Sequence, residues 1–179
     1  MTWTISGTLT VQPVGASAHL LAGPVKQALD ELPSADIGVT EIDANLADTA
    51  EFCAHYQVPL AASANCVIVA GKRGQTVKYA ACLALATTKI NVNTVVRKHL
   101  DARKASFAPM DEAVDLTAME YGGITPIGLP ADWPILLGPD VAAAPELVIG
   151  GGIRGSKILV TGEFLASLPN AEIVEGLAS

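Results

Sequence analysis

Two glycine-rich stretches hold the residue types best suited to handling an ester or a nucleotide. The first, Gly122-Gly123-Ile124-Thr125-Pro126-Ile127-Gly128, is too rich in Gly and Pro for regular structure and reads as a shaped loop. Glycine lets a backbone approach a ligand closely and adopt positive φ, and proline stiffens the exit, so peptide N–H groups can be held toward a carbonyl oxygen. Ester hydrolysis uses such donors. The same residues would also make a tight loop with no ligand. The second stretch, Gly150-Gly151-Gly152-Ile153-Arg154-Gly155, offers another close backbone, with Arg154 able to grip a phosphate through two parallel N–H donors. Its alternative is a plain hairpin turn with a solvated Arg154.

Other reactive types are present without a chemical pattern. His19, His55 and His99 show no HxH or HExxH spacing, so no metal site is expected. Cys53, Cys66 and Cys82 are odd in number and lack a CxxC, which suggests neither a disulfide framework nor zinc. Cys66, set among Val and Ile, reads as a buried small hydrophobe rather than a nucleophile. Asp111, Glu112 and Asp115 fit the acidic start of a helix. The run 97–104 concentrates Arg97, Lys98, Arg103 and Lys104, which could meet nucleic-acid phosphates or simply solvate a helix. A net charge of −7 excludes a generally basic nucleic-acid coat, so any RNA contact must be local. No apolar stretch reaches the roughly 18 residues of a membrane span and no leader pattern opens the chain, so a reducing, cytoplasmic setting is expected.

Half of the 179 residues are apolar, enough for the core of one domain spanning 1–179. Alternation at Trp3, Ile5, Leu9 and Val11 predicts an opening strand or hairpin, closed by Pro13 and Gly15. Helical spacing predicts a helix over 18–32 with Pro24 near its start, and another through Tyr56 capped by Asn45 or Asp48 with Glu51. Pro59 ends it. The segments 65–70 and 76–86, joined by a turn at 72–75, predict a central hairpin. Val92, Val95, Val96 and Leu100 mark one face of a helix, and a short helix follows at 111–119. Strands are predicted at 37–42, 134–137, 146–149, 157–160 and near Ile173, with a short helix at 163–168. Without βαβ alternation, this order predicts an α/β chain of the α+β type: a mixed, largely antiparallel sheet with helices packed around it.

The two glycine stretches, with the Val58-Pro59 entry to the strand at 65–69 and its partner at 77–85, resemble the YbaK/ProX family over residues 47–176. That family comprises aminoacyl-tRNA deacylases related to the editing domain of prolyl-tRNA synthetase. The resemblance implies hydrolysis, in trans, of the ester on a mischarged tRNA. Its partner would be the tRNA 3′ end carrying a noncognate amino acid, with a synthetase as a candidate partner and no cofactor, metal or membrane. It implies catalytic roles for Gly122 and Gly123, and substrate-binding roles for Ile124, Thr125, Pro126, Gly151, Gly152 and Arg154. Family members carry a lysine at the start of the central strand, where this sequence has Asn65. Asparagine still donates a hydrogen bond but brings no charge to a developing oxyanion. Asn65 would orient the substrate in its place, with Lys72 and Lys78 as nearby cations. The substitution also raises the alternative of a noncatalytic module that binds an aminoacyl-nucleotide, a tRNA end or a protein. A hydrolase of another small ester is a third reading.

Overall fold

β-branched and alternating apolar runs become the strands of two sheets in the computed structural model, which describes residues 2–32 and 36–179. The strands are β1 (Gln12–Pro13), β2 (Gly38–Glu41), β3 (Ala64–Arg73), β4 (Thr76–Leu85), β5 (Lys104–Phe107), β6 (Ile135–Leu137), β7 (Leu147–Gly150), β8 (Ser156–Val160) and β9 (Ala171–Ile173). One sheet runs β1-β2-β8-β7, all antiparallel. The other runs β5-β3-β4-β6-β9, antiparallel up to β4 and parallel at β4–β6 and β6–β9. A parallel bridge between Ser63 and Val148 joins the sheets where β3 begins. This is the mixed, largely antiparallel α+β arrangement the sequence predicts.

Alternation along the strands sorts the core into three layers. Ala64, Ile68, Ala81 and Leu83 from one sheet meet Leu147, Ile149, Ile158 and Val160 from the other, closed by Val25, Val141 and Leu165 from the helices Gly23–Glu31, Pro139–Ala143 and Gly162–Ala166. The far face of the five-stranded sheet packs Val69, Ala80 and Cys82 on Val96, Leu100 and Leu177. The far face of the four-stranded sheet packs Val148 and Leu159 on Phe52, Cys53 and Val58, from or just beyond the helix Thr49–Tyr56.

Several local expectations are corrected. Trp3, Ile5, Leu9 and Val11 do not form a hairpin: Gly7 turns the chain at φ 54°, Thr8 N–H bonds the Tyr56 carbonyl at 2.9 Å, and the apolar side chains dock on Phe52 and its neighbours as coil. Only β1 pairs, with two residues. The helix over 18–32 is interrupted at Leu21 and Ala22, where the Ala22 N–H reaches the Gly151 carbonyl at 3.2 Å. The hairpin turn is tighter than 72–75, because β3 runs through Arg73 and Gly74 takes φ 59°. Asp48 precedes the helix Thr49–Tyr56 without a side-chain capping bond; its carboxylate instead lies 3.6 Å from the Arg154 guanidinium. The helix at Val92 opens with a wide turn, Val92–Val96, before Arg97–His99.

Candidate functional site

A cavity of about 400 Å³ opens where the two sheets part. On this edge of β3, β7 bridges Ser63 and β5 pairs from Val69 onward, leaving 65–67 without a strand partner. Ile68 accepts from the Ala108 N–H at 2.8 Å on that edge. Because alternate residues face the same edge, the N–H and C=O of Cys66 point into the gap. Asn65 to Ile68 form this wall. Ala47, Asp48 and Thr49 form another; Phe107, Ala108 and Ala113 a third; Tyr121, Gly122 and Ile124 close the loop side, with Gly150 and Lys157 at the back.

The two glycine stretches are zipped together behind this cavity. Gly152 N–H bonds the Gly123 carbonyl at 2.8 Å, Glu120 N–H bonds the Gly152 carbonyl at 2.9 Å, and Arg154 N–H bonds the Glu120 carboxylate at 2.8 Å. Side chains would block this contact. A Cβ on Gly150 would stand 2.5 Å from the Gly123 carbonyl oxygen, and one on Gly123 would stand 2.6 Å from the Ile153 backbone. Gly122 (φ 85°) packs directly under the Arg154 guanidinium, which also reaches the Tyr121 carbonyl at 3.3 Å and the Ala44 carbonyl at 3.2 Å. Arg154 therefore clamps loop 120–124 to the segment before the helix Thr49–Tyr56.

Residues 43–168, which include every wall of the cavity, match the aminoacyl-tRNA editing domain. The chain belongs to that family. The editing domain is similar in fold to the crystal structure of a proposed trans-editing enzyme for prolyl tRNA synthetase. The two share a TM-score of 0.73 and 19% identity over 86% of this chain and 94% of that one. It is also similar to hypothetical protein APE2540, with a TM-score of 0.69 and 18% identity over 79% of this chain and 90% of that one. No curated protein matches the sequence.

Of the residues singled out in the sequence, the editing domain brings Asn65, Gly122 and Ile124 together on the cavity. The Asn65 carbonyl oxygen accepts from the Thr49 hydroxyl at 2.7 Å, which leaves its NH₂ as a donor. Gly123 stands behind the wall, its N–H taken by the Glu120 carbonyl at 2.9 Å. Gly151 and Gly152 are buried in the zipper. Thr125 is fully buried, and among the described residues its hydroxyl has no hydrogen-bond partner. Pro126 turns away to a separate depression beside Trp133 and Leu168. Lys72 and Lys78 do not line the cavity: Lys72 borders a different depression, and Lys78 pairs across the hairpin with Gly71. Cys66 lies on the cavity wall, and burial, then Cys82, pushes its thiol above the ordinary range, so it stays protonated and unreactive at neutral pH.

Lys157 escaped the sequence reading. Within β8 it has the look of an ordinary strand lysine, and its one signal is a charge between Ser156 and the apolar run Ile158, Leu159 and Val160. In the fold it is only 7% exposed, donates to the Ala47 carbonyl at 3.1 Å and stands 5.0 Å over the Phe52 ring. Desolvation lowers its ammonium from 10.5 to about 8. Among the described residues, no group of three or more His, Cys, Asp or Glu is placed to hold a metal, and no helix is long and apolar enough to cross a membrane.

Proposed function

We propose that this editing domain is a deacylase acting in trans on the ester that joins a noncognate amino acid to the 3′ end of a tRNA. The observation that carries the reading is a single cavity walled by the Asn65 amide and free peptide edge of β3 on one side and the loop at Gly122 and Ile124 on the other. About 400 Å³ is within the range of small-ligand sites and suits an aminoacyl group with part of its ribose. Phe107 and Tyr121, both exposed at the mouth, offer faces on which the terminal base can stack. Beyond Phe107, β5 leads roughly 10 Å to Lys104. There Lys72, Arg97, Arg103 and Lys104 line a depression of about 530 Å³ that fits backbone phosphates. In a chain of net charge −7, this is the local basic surface that tRNA binding calls for.

Water adds its oxygen to the ester carbonyl carbon while the carbonyl electron pair moves onto oxygen. Collapse of that oxyanion breaks the bond to the ribose oxygen, which takes one proton of the water; the second leaves as the free amino acid ionises. This step uses no cofactor. Asn65 NH₂ and the Cys66 N–H are the donors placed beside the ester.

The test is deacylation of a panel of mischarged tRNAs, including tRNAPro carrying alanine or cysteine, by purified protein. One panel member should be turned over, and Asn65→Ala should slow it by at least tenfold. Binding of the panel without turnover would instead identify a noncatalytic module that retains the family cavity.

A further inference from the structure

Among the described residues that line the cavity, Lys157 carries the only positive charge. Three facts about it are hard to reconcile with a purely structural lysine. It is buried; no carboxylate among the described residues forms an ion pair with it; and among those residues one hydrogen-bond partner, the Ala47 carbonyl, serves its three N–H donors. An ammonium held out of water without a counter-ion is costly, and folds keep such groups where the charge is used. The surrounding geometry directs it. Phe52 and Ala47 hold the stem and one N–H from the helix side. Its cross-strand neighbour is Gly150, which lets loop 122–124 settle beside it. The ammonium is thus held at the Ala47–Thr49 wall of the cavity, the wall whose Thr49 hydroxyl bonds Asn65.

We propose that Lys157 is a catalytic residue of the editing reaction, donating from its ammonium to the ester carbonyl oxygen and holding the negative charge that oxygen gains when water adds. The proposal rests on the deacylase reading above. Lys157 transfers no proton in this step; bonds form and break only between water, the carbonyl carbon and the ribose oxygen. The cation therefore comes from β8 of the four-stranded sheet, whereas Asn65 belongs to β3 of the other sheet. Burial holds its ammonium near 8; Arg154 lowers it too, while Cys53 and Asp48 oppose. Asp48, Cys66 and Tyr121 are the other titratable groups on the cavity wall. The active, charged form is accordingly lost as pH rises through about 8.

The experiment compares wild type with Lys157→Met on the responsive aminoacyl-tRNA between pH 6.5 and 9, with the uncatalysed rate subtracted. The variant should unfold at no lower temperature than wild type, since it loses an unpaired buried charge, yet its kcat should fall on the order of a hundredfold with little change in KM. Wild-type kcat should decline above about pH 8, and the residual activity of the variant should not. A variant within threefold of wild type overturns the proposal. So does a flat wild-type profile from pH 7 to 9, which needs no variant. If wild type hydrolyses nothing in the panel, the deacylase reading fails, and binding of an adenosine carrying alanine through a 3′ amide decides the role of Lys157. Tenfold weaker binding by the variant supports Lys157 as the cavity's ligand-facing cation; equal binding, or no binding by either protein, overturns it.

Discussion

Burial sets the Lys157 ammonium near 8 in the folded protein against an ordinary 10.5, and stability is tied to that gap. Between those two pH values the unfolded chain binds more protons than the folded one, so stability rises with pH across that window. Below about 8 the full cost, about 3 kcal/mol, is present and constant. The stability difference between wild type and Lys157→Met should therefore change by about 3 kcal/mol from pH 7 to pH 10.5, with wild type gaining, as read by urea unfolding. A constant difference would place the lysine in water. Asn65 carries the complementary prediction. Adding Asn65→Lys to Lys157→Met returns an ammonium from β3 and should restore at least tenfold in kcat on the responsive aminoacyl-tRNA. No recovery would show that the site needs the cation from the β8 side.

The glycine stretches work as paired elements rather than as separate turns. Loop 120–124 can lie on β7 and β8 only because Gly150 and Gly123 present bare backbone to each other and to Ile153. Backbone atoms there cannot move aside as a flexible side chain could. Gly150→Ala should cost about 1–3 kcal/mol in thermal or urea unfolding and open the cavity. Gly15→Ala, whose Cβ meets nothing within 4 Å, should be close to neutral by the same measurement. The edge of β3 illustrates the same logic from the other side. The N–H and C=O of Cys66 are free on that edge because β5 and the Ser63 bridge stop short of each other, so the cavity is a gap in strand pairing rather than a hollow in the core.

Charge is distributed across the molecule to leave one surface receptive to phosphates. Four of the eleven Lys and Arg residues line the depression at the far end of β5, with Arg97 anchored there by bonds to the Asn93 carbonyl at 2.8 Å and the Ala102 carbonyl at 3.3 Å. Replacing Arg103 and Lys104 with glutamate should weaken tRNA binding and flatten its salt dependence, by a slope of roughly 0.7–0.9 for each phosphate that is no longer neutralised. Hydrolysis of a small aminoacyl-adenosine, which does not reach the depression, should be unchanged. An equal fall in activity on both substrates would mean that the pair supports the fold rather than the RNA.

Sequence periodicity was enough for the strands of the central hairpin, the late strands 135–137, 147–150 and 156–160, and the helix Met110–Thr117, because each buries one face and the burial period is written in residue type. It also marked both glycine stretches and the run 97–104, since Gly, Pro and clustered charge are local signals. It failed at Trp3, Ile5, Leu9 and Val11, where apolar side chains are buried by docking on a helix and the spacing mimics a strand. Which side of β3 stays unpaired depends on where β5 and β7 end, and no local pattern encodes that. The same holds for Lys157: a lysine next to an apolar strand becomes a buried, low-affinity proton site only when the segment Ala47 to Phe52 and loop 122–124 close around it from two distant parts of the chain. Family and fold class are therefore written along the sequence, while the charge that faces the substrate is set by contacts between residues more than a hundred positions apart, where desolvation and pairing are decided.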